Sequence, residues 1–191
     1  MKKTSIAVLS LLLISGTTTF GQGTLFFANR LSASTFSVVY EPDGTTPLNA
    51  GYSAQLFANT SGTFNPVGTV VTFRTGGGQG SWAGVTDTIP GAIAGTSVQL
   101  QVYAWFNNSG AYASYAAALA AGVATGFSPV FTSAPLGGDP GGGGLPIPDP
   151  NIVGNANPLN NMQSFKLQVP EPSAISLAVL GVAALLLRRR K

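Results

Sequence analysis

The chain of 191 residues has no cysteine and no histidine. Without cysteine a domain outside the cell has no disulfide framework, so its stability must come from a packed core. The same two absences remove the commonest general base, the thiol nucleophile and the nitrogen and sulfur ligands of transition metals. Charge is also scarce, at 8% of residues against roughly 25% in an ordinary soluble domain. Hydrophobic residues reach 45%, and 25 glycines with 13 prolines point to short strands joined by many turns, since both residues disfavour helix interiors.

The little charge present is unevenly placed. The formal net charge is +3, yet Lys2, Lys3, Arg188, Arg189, Arg190 and Lys191 are all terminal. Between Gln22 and Val169, Arg30, Arg74 and Lys166 face Glu41, Asp43, Asp87, Asp139 and Asp149. Three cations against five carboxylates leave a body of net charge −2. Such a body has no electrostatic footprint for a phosphate backbone, which excludes nucleic acid as a partner.

The ends carry targeting patterns. Residues 1–21 read as a secretory signal peptide: Lys2 and Lys3, an apolar stretch over 6–14, then a polar segment with Thr19 and Gly21 at −3 and −1 of a cleavage site. At the other end an uncharged apolar run over 174–187 is followed by Arg188, Arg189, Arg190 and Lys191. Basic residues resist translocation, so after export this run predicts a stop-transfer transmembrane helix with the body outside. The run is short for a span, and snorkelling cations and local thinning of the bilayer relieve the mismatch.

Immediately before that run stand Val169, Pro170, Glu171, Pro172 and Ser173. Two prolines around one carboxylate give a stiff, extended element that does not join a following helix. Tripeptide, apolar run and basic cluster, in this order behind a signal peptide, closely resemble a bacterial PEP-CTERM sorting signal. The resemblance covers about the last two dozen residues. It implies recognition and cleavage by a membrane protease-transpeptidase of the exosortase type, with Pro170, Glu171 and Pro172 as the recognised motif. It further implies a mature protein at the cell surface, associated with extracellular polysaccharide.

The body, 22–169, reads as one mainly β domain, an antiparallel β-sandwich with one short helix. In 97–106 Val98, Leu100, Val102, Ala104 and Phe106 alternate with Gln99, Gln101, Tyr103 and Trp105, the period of a half-buried strand. Further strands are expected over 24–29, 35–40, 52–59, 68–74, 81–86, 129–132 and 164–169. Turn signals separate several of them: Pro42-Asp43-Gly44, Asn65-Pro66 and the Gly-rich stretch 76–80. Ser114 is placed to cap a helix over 115–121 that Gly122 ends. The segment 137–158, rich in Gly, Pro and Asn, reads as a flexible excursion from the domain.

Little chemistry is legible in this body. Of the acids, Glu41 and Asp43 sit in a Pro-Asp-Gly turn context, where Asp and Gly serve conformation. Those two, or Asp139 and Asp149, supply oxygen atoms for Ca²⁺, but no EF-hand or repeat pattern accompanies them. The glycines over 76–80 are followed by no Lys-Ser or Lys-Thr, which excludes a phosphate loop. The sequons at Asn59 and Asn107 are patterns common by chance. No cofactor or metal is expected.

These readings give a ranking. First stands an exported, non-enzymatic surface or matrix protein, anchored by its C-terminal helix until processed. Second is a carbohydrate-binding module that would stack sugars on exposed Trp82, Tyr103 and Trp105, although packing under a loop or the helix is the plainer reading of those rings. Third is a secreted hydrolase, which needs two carboxylates across a cleft.

Overall fold

The computed structural model describes residues 21–170. The signal peptide, the apolar run, Glu171, Pro172 and the cluster 188–191 lie outside them. The architecture is organised about the strand with the clearest alternation. In chain order the elements are β1 (Gln22–Phe27), β2 (Val39–Tyr40), β3 (Tyr52–Asn59), β4 (Phe64–Thr72), β5 (Val85–Ile93), β6 (Gln99–Phe106), α1 (Tyr115–Ala120), β7 (Thr125–Phe127), β8 (Phe131–Thr132) and β9 (Phe165–Lys166). Five strands form one antiparallel sheet in the order β4-β3-β6-β7, with β8 also on β6. β1 and β5 form an antiparallel ribbon, and β2 pairs with β9 in parallel.

The mainly β, antiparallel expectation is met, with that one parallel pair as an addition. Leu25 and Phe27 of β1 and Ile89 of β5 share a single core with Leu56 of β3 and Leu100 and Val102 of β6. The ribbon and the large sheet are thus two layers around one apolar interior. The alternation on β6 differs from expectation in one respect. Leu100, Val102 and Ala104 are sealed in the core, but Gln101 and Trp105 on the opposite face are buried too. The segment leading into α1 and the helix itself cover that face: Trp105 Nε1 donates to Tyr112 O at 2.8 Å. The helix forms as its signals require. Ser114 Oγ accepts from Ala117 N, and Gly122 takes φ +66° just after the last turn.

Strands fell short of, or ran past, their expected bounds where glycine and proline misled. Asn65-Pro66 is not a turn but part of β4. A proline fits because β4 is an edge strand, where a missing N–H breaks no ladder. β5 runs through Pro90 and Gly91 because they lie in a bulge: adjacent Gln22 and Gly23 of β1 oppose Ile93 and Ile89, which leaves residues 90–92 unpaired. The expected strand at 35–40 shrinks to β2.

The segment 137–158 is tied to the domain, contrary to the expected excursion. Gly137 exchanges two backbone hydrogen bonds with Thr24, and Phe26 N donates to Pro150 O at 2.8 Å. Asp149 accepts from the hydroxyls of Thr24 and Thr86. Ile152 and Val153 enter the core. Glycine supplies a backbone that approaches β1 closely: a Cβ on Gly138 would lie 2.8 Å from Gln22 O.

Two consequences are measurable. Leu100→Asp places an unpaired charge in the interior and should cost at least about 4 kcal/mol; a circular dichroism melt that does not move would refute the packing. Asp87 is the second case. It is only 3% exposed, beside a bulge where residues 68–70 of β4 oppose Gln55 alone. Thr69 N donates to its Oδ1 at 3.3 Å, and Oδ2 has no partner. Burial pushes this carboxyl above the usual carboxylate range, a shift that the Thr69 N–H only partly opposes. The folded state therefore holds the proton more tightly than the unfolded chain. Stability falls as pH rises from the ordinary carboxylate range through the raised value. Asp87→Asn should raise the melting temperature at pH 7 and flatten its dependence on pH above 4; parallel profiles for the two proteins would show that Asp87 is not the source.

Candidate functional site

The candidate site is the seam where the body hands over to the C-terminal segment. β9 lies against β2, Leu167 N donates to Tyr40 O at 3.0 Å, and Leu167 is buried. The chain then crosses to β7. Thr125 N donates to Gln168 O at 3.0 Å, and Gln168 N donates to Thr125 O at 2.8 Å. These are the last backbone hydrogen bonds along the chain among the described residues. Val169 is already 55% exposed, and Pro170 has no N–H to donate.

The crossing is close because Gly126 stands beneath it. A Cβ there would lie 2.9 Å from Lys166 O and 3.0 Å from Leu167 Cα. Both are backbone atoms, so neither can rotate away. Around the seam a groove of about 560 Å³ is lined by Tyr115 and Leu119 of α1, by 125–127 of β7, and by Lys166, Gln168, Val169 and Pro170. Leu119 and Phe127 are 50% and 54% exposed. Among the described residues Lys166 is the only charged one of the lining.

The rings weighed as a sugar platform are packed within the fold, the plainer of the two readings. Trp82 and Trp105 are fully buried. Trp82 Nε1 donates to Phe27 O at 3.0 Å, with Phe27 and Phe73 at ring distances of 4.7 and 5.4 Å. Its role is to pack the ribbon onto the core, because an indole meets its one donor requirement at a main-chain carbonyl. Tyr103 is half-buried within 4.0 Å of Phe57, 4.7 Å of Tyr115 and 5.5 Å of Phe127. Its ring is thus already engaged by three others. Phe57, Tyr115 and Phe127 were not singled out from the sequence. The signal for two of them is register: on β3 and β7 they fall on the same sheet face as Tyr103.

The acids are also dispersed. Asp43 accepts from Thr45 N and Thr46 N at 2.9 Å and from the Thr46 hydroxyl. These bonds, the Thr46 hydroxyl first, hold its carboxyl well below the usual carboxylate range, as a turn cap and not as a proton donor. Asp139 caps Gly141 N. Among the described residues no group of three or more Asp and Glu is placed to hold a metal ion. Asn107 is buried, its amide spent on Ala50 O and Ser53 Oγ, which removes the second sequon as a glycan acceptor.

Residues 168–191 match the family model of the PEP-CTERM protein-sorting motif. The protein therefore carries a sorting signal of the exosortase pathway, a route of export with C-terminal anchoring at a membrane. The match begins at Gln168, the residue whose two hydrogen bonds close the body. No curated protein and no solved structure matches the chain.

Gly126→Ala tests the seam. Two fixed backbone contacts at about 3 Å should force β7 and the C-terminal strand apart, at a cost of about 1–3 kcal/mol. Hydrogen exchange should show protection lost at Gln168 and Thr125 while the β3–β6 ladder keeps its own; unchanged exchange at Gln168 would mean the glycine is not what permits the approach.

Proposed function

We propose that the protein is an exported, non-enzymatic surface or extracellular-matrix protein, whose β domain is delivered outside and processed at the membrane through Pro170, Glu171 and Pro172. The carrying observation is the sorting motif at 168–191, which starts where the folded body ends. A membrane enzyme of the exosortase type is the partner that reads it, and extracellular polysaccharide is the setting of the mature protein. In this reading the run 174–187 is a transmembrane anchor, Arg188, Arg189, Arg190 and Lys191 hold its end in the cytoplasm, and the leader 1–21 is removed.

The state of the acids supports a non-catalytic body. Asp43 and Asp139 cap turns, Asp149 ties the 137–158 segment to β1, and Asp87 is enclosed. A retaining or inverting hydrolase needs two carboxyls free to face one substrate. The engagement of Trp82, Trp105 and Tyr103 within the fold weighs likewise against a sugar-stacking module.

Two variants expressed in the native host separate anchoring from processing. Glu171→Ala should leave the protein in the membrane fraction with its full-length C-terminus. Deletion of 188–191 should weaken membrane retention of the precursor. Mass spectrometry of the mature C-terminus reads both. A wild-type mature protein that still ends in Arg190-Lys191, with no change of size or location on Glu171→Ala, would reduce the tail to a plain anchor.

A further inference from the structure

We propose that the groove at the seam is a membrane-contacting face, which rests on the lipid headgroup region while the precursor is anchored. The proposal deepens the anchoring reading above and rests on it. Three observations point to a lipid surface as the occupant. The chain leaves the body inside this groove, with Val169 and Pro170 in its lining. Only Glu171, Pro172 and Ser173 then separate Pro170 from the apolar run beginning at Ala174. Three residues span at most about 11 Å when fully extended, so a body whose tail is in the bilayer cannot stand clear of it.

The chemistry of the rim fits that position. Leu119, Phe127 and Val169 are each half-exposed or more and line this one groove, where they present apolar surface beside the exit point. Tyr115, also in the lining, has the amphipathic ring suited to the headgroup level. Lys166 also belongs to the lining, but its ammonium lies beside Gly44 in the turn that follows Glu41 and is not part of the apolar rim. An apolar rim at the exit point, with a tyrosine ring beside it, is matched to the interface of a bilayer.

The absence of native cysteine permits a direct test on the full chain. Single variants Leu119→Cys, Phe127→Cys, Thr60→Cys at the β3–β4 turn, and Leu180→Cys in the apolar run are each labelled with a small fluorophore. The proteins are reconstituted into vesicles of phosphatidylethanolamine and phosphatidylglycerol containing either a headgroup-region or an acyl-chain nitroxide lipid, with near-ultraviolet circular dichroism confirming the fold. Labels at 119 and 127 should be quenched by the headgroup nitroxide several-fold more strongly than the label at 60, with strong quenching at 180 by the acyl-chain nitroxide. Quenching at 119 and 127 no greater than at 60, with 180 still strongly quenched, overturns the contact face and leaves the anchor standing. Weak quenching at 180 as well overturns the anchor and the contact face together.

Discussion

Burial of β6 on both faces is the constraint from which the rest of this domain follows. One face gives Leu100, Val102 and Ala104 to the interior; the other gives Gln101 and Trp105 to a second covering layer. A strand enclosed on both sides has no freedom of register, because a slip of one residue would exchange the two sets. β3 and β7 are consequently fixed on its flanks, and the β1–β5 ribbon closes the apolar side. Polar groups extend the pairing where the ladders stop. Between β7 and β8 Ser128 Oγ accepts from Val102 N, and just past β8 Ser133 Oγ accepts from Val98 N, both at 3.0 Å. Backbone donors that would otherwise be stranded in the interior are thus satisfied. In a protein without disulfides this enclosure is what stands in for a covalent framework.

Placement of the sorting motif depends on the same enclosure. Thr125 pairs with Trp105 on one side and with Gln168 on the other, so the C-terminal strand is registered against β6 through a single intermediary. Folding of the body and presentation of the motif are therefore coupled. The hand-over at Gln168 leaves no linker between folded β structure and signal.

The fold was legible where side-chain period and capping chemistry were decisive. β3 appears at its expected limits because its apolar residues fill one pleat, and α1 because Ser114 and Gly122 punctuate an alanine-rich run. It was illegible where a residue's local tendency yields to its place in the sheet. Pro66 reads as part of a turn, yet sits in a strand whose outer edge needs no donor. The Gly- and Pro-rich 137–158 reads as loose, yet its glycines allow backbone-to-backbone approach to β1, a contact no composition measure registers. The sorting motif was legible because its order of tripeptide, apolar run and cations is a one-dimensional pattern. The seam was not, since Gly126 and Gln168 acquire meaning only when distant strands meet. Trp82 and Trp105 carry no mark in the sequence that separates a buried indole from an exposed one.

The binding of 137–158 to the domain also bears on how the molecule would withstand proteolysis. Its tip is open to solvent, with Leu145 88% exposed beside Gly141, Gly142, Gly143 and Gly144, which makes it the natural place for a protease to cut. A nick there would divide the chain but not the core. The downstream piece contributes Ile152, Val153, Met162, Phe165 and Leu167 to the shared interior, and its backbone is hydrogen-bonded to β1, β2 and β7. The two fragments would remain one particle, and the sorting signal, although severed in sequence from most of the body, would still carry it.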